Sequence, residues 1–553
     1  MNKTIFCLVL LLFFSSCKKK EPPITPPPPN PPAFKLTDLK IDAINSGSVY
    51  YAVKTLPEIK LTFSAPADQS TVTNNISLKT DAGAAVALTA SYENDSTILL
   101  KPLSPLSFIT KYSLALGTGL KSKQGASLQS QLNATLISQI DSTDKFPRIS
   151  DSALLTLVQQ LTFNYFWDFG HPVSGMARER NSSGDICTTG GTGFGIMSIL
   201  VGINRNFISR GDGLNRIQKI VSFYKNKCTA YHGAFAHWVN GSTGATVPFS
   251  EKDDGADLVE TSFLMQGLLS ARQFFNLNSF EEKTLRDDIN SLWNGVEWNW
   301  FRQNDQSVLY WHWSPDNDWA MNMQISGWNE ALIVYVLAAS SNTDSIPRIV
   351  YDNGWAGNGA MKNGKSFLGV TLPLGPDYGG PLFFSHYSFL GINPHGLSDA
   401  YANYWTQDTA QSKINYLYCL NNPKKYNGYS NLCWGLTASD EENGYSAHSP
   451  TNDDGVISPT AAISSLPYTP SESMNALKFF YYKLGDKIWG DYGFKDAFNL
   501  TNIWFADSYL AIDQGPQIVM IENYRSGLLW DLFMSCPEVK RGMKNLGFQS
   551  PNL

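Results

Sequence analysis

The hydrophobic period of this chain changes near residue 145, and one repeating architecture cannot satisfy both halves. Before the change, apolar residues alternate: Ile59, Leu61 and Phe63 in "EIKLTFS", then Tyr112, Leu114 and Leu116 in "KYSLALGTG", with "TILLKPL" a short buried run between Gly, Asn and Asp turns. Alternation is the period of a strand with one buried face. Short strands over residues 34–143 predict a small Ig-like β-sandwich, without a cluster of residues suited to catalysis. After "DSTDKFPRISD" the period becomes helical, with Leu154, Leu157, Val158, Leu161 and Tyr165, and later Leu214, Ile217, Ile220, Val221 and Tyr224, each on one helix face.

Further helical segments are expected near 192–204, 257–275, 281–298, 328–340, 397–420, 470–485 and 515–534, several opening at caps such as Ser150-Asp151, Ser279 and Thr469-Pro470. Roughly ten helices between residues 149 and 547, joined by long Gly-, Trp- and Tyr-rich loops, exceed a simple bundle. A mainly α (α/α)6 toroid fits, because it gathers such loops at one mouth. A helical solenoid would need a fixed-period repeat, which the sequence lacks.

Residues 1–17 form an export signal: Lys3, the apolar run "IFCLVLLLFF", and Ser15-Ser16 before Cys17. Ser-Ser-Cys resembles a bacterial lipobox, making Cys17 the expected lipidation site, although a plain cleaved signal is the alternative. Residues 18–33 are a proline-rich, semi-rigid spacer. The expected product is an outer-membrane lipoprotein, and Lys18 to Lys20, in place of an acidic run after Cys17, favour its periplasmic face. The other five cysteines are scattered and odd in number, which allows one bridge or buried free thiols.

A net charge of −6 with 16% charged residues and no basic stripe excludes nucleic acid as a partner, and no obligate protein partner is expected. Aromatics reach 13%, with 15 Trp and 25 Tyr, a composition suited to hydroxylated ligands with apolar ring faces, sugars foremost.

Cleaving a glycosidic bond takes a protonated carboxyl for the leaving oxygen and a second carboxylate to activate water or attack carbon. Four stretches offer such groups. In "AFAHWVNGSTGATVPFSEKDDGADLVETSF", His237 and aromatics lead into acids at a helix start, where Asp254 or Asp257 caps and Glu260 is either a first-turn dipole partner or a catalytic group. "ASDEENGYSAHSPTNDDGVIS" carries Asp440, Glu441, Glu442, Asp453 and Asp454 beside Tyr445 and His448, without the spacing of a calcium loop. "ARERNSSGDICTTGGTGFGIM" places Arg178, Glu179, Arg180 and Asp185 before glycines that could admit a ligand close to the backbone; the context is wrong for a phosphate loop. The fourth stretch holds Trp298, Trp300, Trp311, Trp313, Trp319 and Trp328 with His312, Asp316, Asp318, Asn329 and Glu330. The histidines show no HExxH spacing and no G-x-S-x-G is present, so neither a catalytic metal nor a serine triad is indicated, and no cofactor is expected.

"GTGFGIMSILVGINRNFISR", "DGADLVETSFLMQGLLSARQFF", "LYWHWSPD", "GWNEALIVYVLAASS", "GPLFFSHYSFLGINPHGLSDAYANYW", "CWGLTASD" and "DSYLAIDQGPQIVMIENYRSGLLWDLFMSCPEV" resemble, in order over residues 149–547, the glucoamylase-like domain family, glycoside hydrolase family 144. The resemblance implies an (α/α)6 domain and metal-free, inverting hydrolysis of β-1,2-glucan. The expected mode is endo, with exo release of sophorose as the alternative; a noncatalytic glycan-binding lipoprotein is the reading from another class. It implies Glu260 as general acid and Asp454 or Asp453 as base, with Asp185 an outside candidate. The expected substrate-binding set is Asp185, Glu179, Arg178, His237, Trp311, Trp313, Asn329, Glu330, Tyr387 and Tyr445.

Overall fold

The computed structural model describes residues 32–553. The signal, Cys17 and the spacer up to residue 31 lie outside the described residues. The chain divides into two compact units: one made mostly of residues up to Leu136, the other mainly of Ile137–Leu553.

The first unit holds two sheets. Four strands pair in the order Leu36–Ile41, Ile59–Phe63, Thr97–Pro102 and Leu88–Asn94; five pair as Val49–Val53, Leu132–Ser138, Lys111–Leu116, Ile76–Thr80 and Ala85–Val86. The register sets Ile59 opposite Leu100 and Leu61 opposite Ile98, and all four are buried. Tyr112, Leu114 and Leu116 are buried in turn, so the alternation read from the sequence is the buried face of each strand.

The second unit is a double ring of helices whose layers are distinguished by burial. In Thr189–Asn204 and Leu258–Phe274, 14 of 16 and 15 of 17 residues are buried, and Leu332–Ser340, Pro459–Ser464 and much of Ala511–Ser526 are similarly enclosed. A helix buried on every side must lie inside a helical layer. Between them in sequence come half-exposed helices, Asp151–Trp167, Arg210–Asn226, Phe280–Asn294, Tyr404–Asn421 and Pro470–Ile488, which form the outer layer. The fourth inner position is filled by two 3-10 turns, Leu382–Ser385 and Ser388–Leu390. Six inner positions thus alternate with five outer helices, and the short turns Arg348–Val350 and Tyr351–Trp355 stand between the third and fourth inner positions, the pattern of an (α/α)6 toroid.

Buried polar contacts close the ring. Gln517 in the last inner helix donates to Thr162 in the first outer one at 2.7 Å, and Gln159 donates to Glu522 at 2.9 Å. Glu522 is fully buried and takes a two-point salt bridge from Arg205 at 2.7 and 2.8 Å. Burial raises its carboxyl pKa, but Arg205, Ser526 and Gln159 outweigh this and hold it low.

The glycine run before Met197 serves this packing. A methyl at Gly193 would lie 2.1 Å from the carbonyl oxygen of Phe263, and one at Gly267 would lie 2.3 Å from that of Gly193. The two inner helices therefore touch backbone to backbone. Gly193→Ala should destabilise the protein by roughly 1–3 kcal/mol or more, because neither backbone can yield cheaply. Gly211→Ala, whose added methyl meets nothing nearer than 3.8 Å, should be neutral or stabilising. Paired thermal melts check this; equal melting temperatures would contradict it.

All five described cysteines are free, and four of them are buried, which resolves the earlier alternative in favour of thiols.

Candidate active site

The inner helices begin at a common end, where a cavity of about 460 Å³ opens. Its wall includes Thr188, Glu260, Glu330 and Leu510, all at or just before the starts of inner helices.

Glu260 sits in the first turn of Leu258–Phe274, yet it does not cap that helix. Asp257 does, accepting the N–H groups of Val259 and Glu260 at 2.9 Å each. The Glu260 carboxylate instead crosses to the neighbouring helix start, accepting from Thr188 Oγ1 at 2.9 Å and Gly190 N–H at 2.7 Å. It is 7% exposed, on the cavity wall. Burial raises its pKa; His237 and these two donors oppose that, Asp257 adds to it, and the net shift is upward. Glu260 is therefore a carboxyl biased toward holding a proton at a cavity surface.

A cluster of histidines and acids supports it. His237 Nδ1 lies 3.0 Å from Asp257, and His312 Nε2 lies 3.3 Å from Asp253 and 3.6 Å from Asp257. Burial disfavours the His237 imidazolium, but Glu260, Asp257 and Asp253 prevail and raise its pKa to about 9. Asp257, fully buried, is driven up by burial and held low by His237 and His312. The ligand atoms of His237, Asp253 and Asp257 lie within 4.8 Å of one another, as do those of Glu441, His448 and Asp454. In the first set His237 Nδ1 and Asp257 are already engaged with each other, so the histidine–carboxylate pairing accounts for the geometry.

Two further acids reach the cavity. Glu330 is pushed up to about 7, by burial first and then by Asp257 and Glu260. Glu179 is bound by Arg180 Nε at 3.0 and 2.9 Å, while Arg180 Nη1 reaches both oxygens of Asp440 at 2.9 and 3.0 Å. Arg180 thus bridges two carboxylates drawn from segments 260 residues apart. Asp440 lines an adjoining open groove of about 440 Å³ that shares Arg180 with the first cavity.

Of the expected binding residues, Glu179, His237, Trp311, Glu330, Tyr387 and Tyr445 line the cavity. Others do not. Arg178 packs over the Phe169 ring at 4.6 Å. Asp185, largely exposed, is held by His171 and Ser242. Trp313 packs edge-on against Trp300 and His232. Asn329 accepts from Ala331 N–H at 2.9 Å, a local turn bond. The two expected base positions also lie away from this cavity. Asp453 is buried and consumed by Tyr418, Tyr429 and the N–H of Gly455, at 3.0, 2.7 and 3.0 Å. Asp454 is exposed beside Glu441 and His448, and neither aspartate lines the cavity.

Of the six clustered tryptophans, Trp298 and Trp328 are buried and the other four are half-buried. Trp298 is fully buried, Trp328 donates to Gln411 at 2.8 Å, and Trp300 stacks with Trp319 and His232. The cavity wall also takes aromatics from dispersed positions, including Trp238, Phe249 and Phe383.

The Glycoamylase family profile, described as putative glucoamylase, matches residues 322–537, and a bacterial Ig-like domain profile matches residues 37–138. The chain is 52% identical to an endo-beta-1,2-glucanase from Chitinophaga pinensis solved with sophorotriose and glucose, covering 73% of this chain and all of that one, with a TM-score of 0.72. It is 37% identical to a beta-1,2-glucanase structure from Parabacteroides distasonis over 93% of this chain and 73% of that one, with a TM-score of 0.71. It is also 46% identical over 431 residues to an exo beta-1,2-glucooligosaccharide sophorohydrolase of Parabacteroides distasonis, a match covering 74% of this chain and 60% of that relative's length. With 52% identity over the whole of a solved relative and the ring of helices in place, the chain belongs to the glucoamylase-like family and carries an N-terminal bacterial Ig-like domain.

Proposed function

We propose that the protein is a glycoside hydrolase that cleaves β-1,2-glucan by an inverting two-carboxylate mechanism in endo mode. The observation that carries this reading is Glu260, a first-turn acid that leaves the capping to Asp257 and is held at the cavity wall by Thr188 and Gly190 with its proton affinity raised by burial. Glu260 protonates the leaving oxygen, and the base that activates water comes from the Arg180-bridged pair, Glu179 or Asp440. Aromatic faces such as Trp311 and Tyr387 receive the sugar rings.

Endo cleavage is favoured by the 52% identity to the Chitinophaga enzyme over 73% of this chain and by the groove that continues past Arg180, giving a chain room to extend. The second reading, exo release of sophorose, is favoured by the 46% identity to the sophorohydrolase. Chain-length analysis of early products from linear β-1,2-glucan separates them: mixed oligomers support endo cleavage, and disaccharide alone overturns it.

His237 supplies a further test. Its positive charge, present up to about pH 9, favours the ionised form of Glu260. Removing it in His237→Gln should raise the Glu260 pKa further, so the alkaline limb of kcat/KM, where the acid loses its proton, should move to higher pH. A limb that stays in place or moves down would contradict the coupling.

A further inference from the structure

Behind the Arg180 bridge lies another pair of acids, Asp496 and Asp513. Asp496 is fully buried in the connection between two short strands, Gly493–Phe494 and Phe498–Asn499; Asp513, 5% exposed, stands in the first turn of Ala511–Ser526. Asp496 Oδ2 accepts the backbone N–H of Asp440 at 2.7 Å. Asp496 Oδ1 and Asp513 Oδ2 are buried and find no donor, yet the two side chains are within hydrogen-bonding reach of each other. Two carboxylate oxygens in that arrangement repel unless a proton lies between them. Neither acid is in an ion pair among the described residues.

We propose that Asp496 and Asp513 share one proton and act as a positioning pair, fixing the backbone at Asp440 and, through Asp440 and Arg180, the Glu179 face of the cavity. The catalytic half of this inference rests on the β-1,2-glucan reading given above. Neither acid touches the sugar; their effect passes through the Asp440 N–H and the bridge from Arg180 to Glu179. Burial raises both carboxyls, Asp440 adds to this, Arg180 opposes it, and Asp496 is pushed up to about 7. The nearby Tyr387 and Tyr445 hydroxyls are raised by burial and by Asp513 and stay neutral. When the shared proton leaves as pH rises, two buried anions face one another, and the acceptor for the Asp440 N–H is displaced. Because the folded pair binds its proton more tightly than the unfolded chain, stability should fall as pH rises toward and through neutrality.

Asp513→Asn tests this by replacing the shared proton with an amide donor that does not titrate. The wild-type melting temperature should fall between about pH 6 and about pH 8.5, and the fall should be roughly halved or more in the variant. At about pH 6, Asp496→Asn should keep kcat on linear β-1,2-glucan within about threefold, whereas Asp496→Ala should lose about tenfold or more with KM nearly unchanged. The same pH dependence in Asp513→Asn as in wild type would overturn the shared proton. Equal kcat for the Ala and Asn variants at position 496 would overturn positioning. Should Asp496→Ala fail to fold, a loss beyond about tenfold in Asp496→Asn would overturn it instead. A wild type that releases no sugar would refute the functional reading and the catalytic half of this one, while the melting comparison still reads the shared proton on its own.

Discussion

Glu260→Gln should lose at least about a hundredfold in kcat/KM on β-1,2-glucan, the usual scale for removing a general acid. The amide is nearly isosteric, and its oxygen can still accept from Thr188 Oγ1 and Gly190 N–H, so the helix start and the cavity wall stay in place. What disappears is the proton. KM should therefore change little, and a glycoside whose leaving group needs no protonation should be hydrolysed with a much smaller loss. If the variant retains activity within about tenfold on the glucan, Glu260 is not the acid.

The Arg180-bridged carboxylates carry the second large effect. Glu179→Gln and Asp440→Asn, made separately, should divide: the base variant loses about a hundredfold or more and its acidic limb flattens, since the titrating base is gone, while its neighbour loses less and keeps that limb. Asp453 is engaged by two tyrosines and Asp454 is exposed, so Asp454→Asn should stay within a few fold of wild type. Near-normal activity in both bridge variants, with a large loss in Asp454→Asn, would return the base to Asp454.

Much of the architecture was legible because periodicity reports burial. Ile59, Leu61 and Phe63 alternate because one strand face is buried, and the outer helices show one-sided stripes. Two short inner elements were missed. Pro459–Ser464 is enclosed on all sides and six residues long, and the fourth inner position is a pair of 3-10 turns; neither leaves a helical period to detect. Helix ends drifted for a similar reason: the expected helix over 515–534 starts at Ala511 and breaks at Gly527, whose φ of 75° ends it.

At the site, local signals were read correctly and distant ones were not. Acids before an apolar run marked the start of the Glu260 helix, and the structure divides their labour between Asp257 and Glu260. The glycines after Thr189 looked like room for a ligand; at Gly193 they are room for another helix. Arg180 and Asp440, 260 residues apart, meet only because the ring closes, and the pairing of Asp496 with Asp513 has the same origin. Clusters in sequence misled in turn: two aspartates at 453 and 454 are adjacent in the chain yet point to different environments, one buried among tyrosines and one exposed.

The most direct test of the account is the anomeric configuration of the first sugar released from linear β-1,2-glucan, followed by NMR before mutarotation. Inversion with Glu260 as the acid gives new reducing ends in the α configuration from the wild-type protein and essentially none from Glu260→Gln. Release of β-configured ends would contradict inversion, and glucan binding without any new reducing end would contradict hydrolysis itself.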